Sequence, residues 1–151
     1  MSITLEAIKA EQTKVNEMIA EFEKQAACAY HVAAATINLA PGERYAGLIL
    51  GENGETDYHL VLLPGEAEEV TWDNAGKWAQ EQGGVLPSRR EQSLLFANLK
   101  GEFQSAWYWS GQQHEQESGW AWSQGFSGGG QSDRHRVGEF RARAVRRLVI
   151  L

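Results

Sequence analysis

A chain of 151 residues suffices for one domain with a hydrophobic core and falls short of two comfortable ones. Its 42% hydrophobic and 23% charged content is that of an ordinary globular protein, and its formal charge of −6 argues against nucleic acid as a partner, because phosphate binding needs clustered Lys and Arg to release counterions. No stretch approaches the ~18 apolar residues of a membrane span, so no membrane partner is expected either.

The first predicted element is a long amphipathic helix over residues 3 to about 29, a stretch free of Gly and Pro. Leu5, Ile8, Gln12, Val15, Ile19, Phe22 and Ala26 recur with alternating 3-4 spacing and form one narrow stripe, with Glu and Lys on the other faces. Such a stripe matches a coiled-coil seam, in which Gln12 is the kind of polar interruption that sets register or oligomer number. Self-association, a trimer ahead of a dimer, is the expectation; docking of the helix on its own domain is the alternative. The start "MSITLEAIKAEQ" has no basic region followed by an apolar run, so no export signal is read and synthesis in a host cytoplasm is expected. Cys28, the one cysteine, permits no intramolecular disulfide and no cysteine-rich metal site, and its setting in "AACAY" reads as a buried thiol.

Beyond the helix the period changes. Thr36 to Leu39 is expected as a short strand or extended connector, and Tyr45 to Leu50 with Tyr58 to Leu63 as a hairpin across "GENG". A helix is predicted from about Thr71 to Gln82, with Thr71 as N-cap, Gly83 and Gly84 as its stop, and Trp72, Ala75, Trp78 and Ala79 on one face. A second follows Pro87, with Ser88 and Glu91 at capping-box spacing and Leu94, Leu95 and Leu99 directed at a core. Then come three strand-like runs, "AWYWSG", "GWAWSQGF" and "FRARAVRRLVIL", expected as an antiparallel meander. The order defines an α+β protein. Six arginines lie between Arg134 and Arg147, whereas residues 1 to 100 hold 15 acidic and 8 basic side chains, so the late arginines are expected to pair with the acidic front half or to line a solvated face.

The succession "TWDNAGKWA", "LPSRREQSLL", "YWSG", "WAWSQGFSGG" and "RARAVRRL" resembles the C-type-lectin-like domains of the family named for the C-terminal domain of a collagen-like bacterial adhesin. The resemblance covers roughly Tyr45 to Leu148. It implies two short helices flanking a twisted antiparallel sheet, which assigns residues 31–151 to a lectin-like domain; the N-terminal helix lies outside the resemblance, and residues 1–30 are expected as a coiled-coil oligomerisation segment on their heptad stripe alone. The resemblance also implies non-catalytic binding of a protein or glycan receptor, in a phage or prophage protein associated with tail fibres and hence with the virion. The alternative is an intracellular interaction module that inhibits or modulates a host or defence protein, with a host protein as partner.

Calcium-dependent members of the fold carry a Glu-Pro-Asn or Gln-Pro-Asp tripeptide and a Trp-Asn-Asp. Here "LPS" at Leu86 to Ser88 and "WDN" at Trp72 to Asn74 lie on or beside predicted helices and do not supply the six to eight oxygens calcium takes. A lone cysteine in an apolar setting likewise does not meet the need of the formylglycine-making enzymes for reactive thiols. The four histidines are scattered, and Ser132, Asp133 and His135 are too close in sequence for a triad, so no cofactor, metal or catalytic residue is expected.

Strand alternation divides the aromatic cluster. Trp109 and Trp122 are expected in the core, and Tyr108 and Trp120 at the surface. Two polar loops are expected beside them, one of Gln112, Gln113, His114, Glu115 and Glu117, the other of Gln131, Ser132, Asp133, Arg134 and His135. The candidate ligand-binding residues are therefore Tyr108, Gln112, Gln113, His114, Trp120, Gln124, Gln131, Asp133 and His135, since exposed aromatics beside amides combine rigid contact area with adaptable hydrogen bonds.

Overall fold

The first predicted helix forms. In the computed structural model, which describes residues 3–27, 29–32 and 34–150, α1 spans Leu5–Ala27. Glu6 lies in its first turn and Lys24 in its last, both of the sign that the helix dipole favours. Leu5, Ile8, Val15, Ile19 and Phe22 are all exposed, between 51% and 71%. Cys28 lies outside the described residues. The chain divides into two compact units, Met1–Thr36 and Ile37–Leu151.

The second unit holds two sheets. The expected hairpin is β1 (Arg44–Ile49) and β2 (Tyr58–Leu62), and β8 (Val145–Val149) pairs antiparallel with the other side of β2. The unit's first and last strands thus flank β2 in a sheet of order β1-β2-β8. The bulge in β1 falls between Tyr45 and Gly47; the φ of +132° at Gly47 suits glycine, and a Cβ there would lie 3.2 Å from Asn98 Nδ2 and 3.3 Å from Leu94 Cδ2.

The other sheet has the order β3-β7-β4-β5-β6, from β3 (Ala67–Val70), β4 (Trp107–Gln113), β5 (Trp120–Gly125), β6 (Gln131–His135) and β7 (Phe140–Ala142). It departs from a simple meander, because β7 crosses to lie between β3 and β4 and meets β4 in parallel at Tyr108 and Arg141. Of the two alternatives for Thr36 to Leu39, the strand does not form and the connector remains. Two local expectations are corrected: β3 lies in a stretch to which the sequence assigned no element, and "FRARAVRRLVIL" supplies two strands to two different sheets.

The helices α2 (Trp72–Glu81) and α3 (Arg89–Leu99) cover β4 from different sides. Trp109 packs with Ala75, Ala79, Leu86 and Ala142 in one core cluster, against which Trp72 and Trp78 rest; Tyr108 packs with Leu60, Leu95 and Phe126 in the other. Successive side chains of a strand point to opposite faces, so both faces of β4 are interior over Tyr108 to Ser110, while Gly111 to Gln113 are exposed. Ser88 caps α3 with the full capping box, its hydroxyl accepting from Glu91 N while Glu91 accepts from Ser88 N. Thr71 is the N-cap of α2, but its side chain makes no capping bond.

The late arginines clamp the unit. Arg146 grips Glu43 at 2.7 and 2.8 Å, Arg147 grips Glu91 at 2.7 Å on both oxygens, Arg141 bonds Glu66 at 2.6 Å and Arg136 bonds Asp73 at 2.6 Å. All four carboxylates belong to the acidic front part of the chain. Arg143, 8% exposed, instead donates to the carbonyls of Glu102 and Leu63.

Candidate functional site

The residues of interest converge on one face of the β5–β6 ladder. Its register pairs Trp120 with His135, Trp122 with Asp133, and Gln124 with Gln131. Directly opposed residues of an antiparallel pair share a face, so these six side chains form three successive rungs. Gln131 to His135, expected as a loop, is therefore strand β6; its polar character records an edge position rather than a turn. Ser132 and Arg134 alternate to the opposite face, which separates Ser132 from Asp133 and His135.

The rungs grade from buried to exposed. Gln124 is 1% exposed, and Gln131 Nε2 donates to Gln124 Oε1 at 2.8 Å and to Arg89 O at 2.7 Å. Gln131 Oε1 accepts from Arg89 Nε at 3.0 Å. These amides bind the start of α3 to the sheet and leave little for a ligand. In the middle rung, the Arg89 guanidinium lies 3.6 Å from the centroid of the Trp122 ring, and His114 stacks on the same indole at 5.4 Å with the rings 19° apart. Trp122, expected in the core, is half-buried for this reason: polar groups cover its ring. At the outer rung Trp120 is 38% exposed and meets His135 edge-on at 5.4 Å. A depression of about 350 Å³, lined by Thr71, Asp73, Gly119, His135, Arg136 and Val137, adjoins this pair.

His114 is held in one tautomer. Its Nδ1 accepts from the backbone N–H of Gln116 and of Glu117, both at 3.2 Å, so the ring proton sits on Nε2, which lies 3.9 Å from Asp133 Oδ2. Neighbouring Glu115 has its carboxyl held below the usual range, first by a backbone hydrogen bond. The indole N–H of Trp122 is buried and makes no hydrogen bond among the described residues.

The remaining expected residues divide. Gln112 Oε1 accepts from Arg89 N at 2.7 Å, capping α3 further, and Gln113 Nε2 donates to Ser118 O at 2.6 Å within the hairpin end. Tyr108 is not at the surface. It is 1% exposed, its hydroxyl bonds the Glu66 carboxylate and accepts from Gln104 N at 2.9 Å, and burial followed by the Glu66 contact pushes the phenol above its ordinary range. Strand alternation alone leaves this face of β4 open to solvent, whereas Leu95 of α3 and Phe126 cover it.

Sequence reasoning passed over Arg89 and Trp122 as parts of this surface. Arg89 stands 42 residues from Gln131, and no spacing rule joins an N-terminal helix residue to a distant edge strand. A larger groove, about 450 Å³, lies between α2 and Val85–Leu86. Several of its polar groups are already occupied, Arg147 by Glu91, Asp73 by Arg136 and the Trp72 indole N–H by Ser110 O at 2.8 Å. Among the described residues no group of three His, Cys, Asp or Glu side chains is placed to hold a metal ion, and no helix is long and apolar enough to cross a membrane.

Comparison with known proteins adds no assignment. No family model matches the chain, and no curated protein matches it in sequence.

Proposed function

We propose that the chain is a non-catalytic recognition module of phage or prophage origin, a C-type-lectin-like domain on a self-associating helical segment, serving in a tail-fibre-associated or surface-recognition role. The observation that carries the recognition reading is the graded β5–β6 face. Its inner rung is tied down by Gln124, Gln131 and Arg89, which fixes the backbone, and its outer rung leaves Trp120 and His135 available. A rigid aromatic on a pre-ordered scaffold loses little entropy on contact. The exposed α1 stripe supports display in several copies, through which weak single contacts become strong binding.

The test is binding of the full chain to glycan arrays and to bacterial cell surfaces, beside a Trp120→Ala/His135→Ala variant. The expected result is binding that falls by about tenfold or more in the variant, the loss typical of truncating a central aromatic contact, with unchanged thermal stability. A full chain that binds neither surface, and is recovered from lysate with one cytosolic protein at near-stoichiometric yield, would replace this reading with intracellular inhibition of that protein.

A further inference from the structure

The hydrogen bonds of β6 fix which of its backbone groups face outward. Gly125 N donates to Gly130 O, and Arg136 N donates to Gly119 O. With the register of the ladder, this makes Ser132 with Ser123 and Arg134 with Ala121 the pairs that exchange backbone bonds. The N–H and C=O groups of Gln131, Asp133 and His135 consequently point away from β5. β6 is an outer strand of its sheet. Among the described residues nothing accepts from those three N–H groups, and nothing donates to the Gln131 carbonyl. The Asp133 carbonyl meets only the Ser132 hydroxyl at 3.3 Å, and the His135 carbonyl receives Gly138 N.

Edge strands are usually blunted by charged side chains, bulges, proline or a covering element, and of these β6 carries the charges of Asp133 and Arg134. β6 has an unbroken register with β5 and contains no proline, and the residues that carry its outward groups also carry the side chains of the recognition face. We infer that β6 takes up an extended segment of a partner protein as an added strand, so that the ligand of this face is a polypeptide rather than a sugar. Backbone bonds to Gln131, Asp133 and His135 supply sequence-independent affinity, and the three rungs supply selectivity.

Charge and size define the partner segment. Antiparallel to β6, its first inward residue lies beside His135 and Trp120 and is aromatic or apolar. The next lies opposite Asp133, whose side chain is 43% exposed and, among the described residues, has His114 Nε2 at 3.9 Å as its one ion-pair neighbour, and is Lys or Arg. The third meets Gln131 and is polar. A second copy of the chain fits less well, since symmetric pairing about Asp133 opposes two carboxylates.

This inference rests on the recognition reading above and is tested separately from it. The probe is the peptide Ac-Thr-Tyr-Thr-Lys-Thr-Gln-Thr-NH2, titrated into the isotope-labelled full chain up to about millimolar concentration, a range that captures weak, short-strand binding. Amide shifts are expected at Gln131, Asp133 and His135. N-methylation of the peptide lysine, whose N–H faces β6, weakens binding by about tenfold, of the order of one or two lost hydrogen bonds, whereas N-methylation of the next threonine leaves it unchanged. Replacing the peptide lysine by Glu weakens binding to the natural protein, and Asp133→Lys reverses that preference.

In the free protein the amides of Gln131, Asp133 and His135 exchange with solvent faster than those of Ser132 and Arg134. Equal binding of the two N-methylated peptides, no shift at the highest peptide concentration, or slow exchange at the three outward amides overturns the inference. So do concentration-dependent shifts of those amides without peptide, which identify a second copy as the occupant. Cell-surface binding that is lost in Trp120→Ala/His135→Ala but intact in Asp133→Lys removes the added strand and leaves the recognition face standing.

Discussion

Glu91 shows how one side chain can serve two levels of structure. Its backbone N–H and carboxylate complete the capping box of α3, while Arg147 and the Tyr58 hydroxyl bond the same carboxylate from β8 and β2. Burial by itself would raise its pKa, but the Arg147 hydrogen bonds, the Ser88 N–H and Tyr58 together hold it below the ordinary value. In Glu91→Gln the Arg147 guanidinium, whose side chain is 39% exposed and so partly solvated, loses its countercharge while the buried amide replaces an acceptor by a donor, and the loss is expected at about 1–3 kcal/mol, read as a fall in denaturation midpoint.

The sign of the pH effect follows from the same shift. A carboxyl with a lowered folded pKa contributes stability above its unfolded value, and that contribution disappears as pH falls through the folded value. Glu43, held low first by Arg146, acts in the same direction. The denaturation midpoint of the natural protein is expected to fall as pH drops below the ordinary glutamate value of about 4.3, and Glu91→Gln to show a shallower fall. Burial, followed by the Glu91 contact, pushes the Tyr58 phenol up to about 12. Its ultraviolet titration should therefore lag well behind that of the unfolded chain.

At the scale of elements, two glycines give opposite predictions. A Cβ on Gly84 would stand 2.4 Å from Val145 O, where Val85 and Val145 exchange backbone bonds that join the α2–α3 connection to β8. Gly84→Ala must displace that bridge and should cost about 1–3 kcal/mol. Gly76 is inside α2 with open space around its would-be Cβ, so Gly76→Ala should add about 0.5–1 kcal/mol through helix propensity. Urea midpoints of the two variants, moving in opposite directions from the natural protein, are the check.

The helices, the hairpin and the capping box were legible from sequence because each is encoded within about a dozen neighbouring residues. β3 and β6 were not, since their polar residues carry no alternation. At an edge, strand identity comes from the partner across the ladder rather than from burial. The pairing of late arginines with early carboxylates was legible as a charge pattern, and the particular partners were not.

For the whole molecule, α1 sets the sharpest expectation. A helix of 23 residues exposing Leu5, Ile8, Val15, Ile19 and Phe22 has marginal stability alone in water. Under the proposed self-association, helicity and mass depend on concentration. The double variant Val15→Glu/Ile19→Glu should sediment as a monomer and lose helical circular dichroism, with the melting of the second unit unchanged. Gln12→Ile should strengthen the assembly or change its copy number, because a polar residue in the seam sacrifices stability for register. A variant pair that sediments like the natural chain removes the stripe as the association surface.

By itself the sequence determined the α+β class, the first helix with its apolar stripe, α2 and α3 and the hairpin of β1 and β2, because periodicity, caps and turns act over short distances. Tertiary structure alone decided that β4 is interior on both faces over Tyr108 to Ser110, that Tyr108 is a core residue, and that Trp120 and His135 end one row with Trp122, Asp133, Gln124 and Gln131 behind them. Those outcomes depend on which elements cover which face and on the register between strands. Such contacts join residues far apart in the chain, and no local pattern records them.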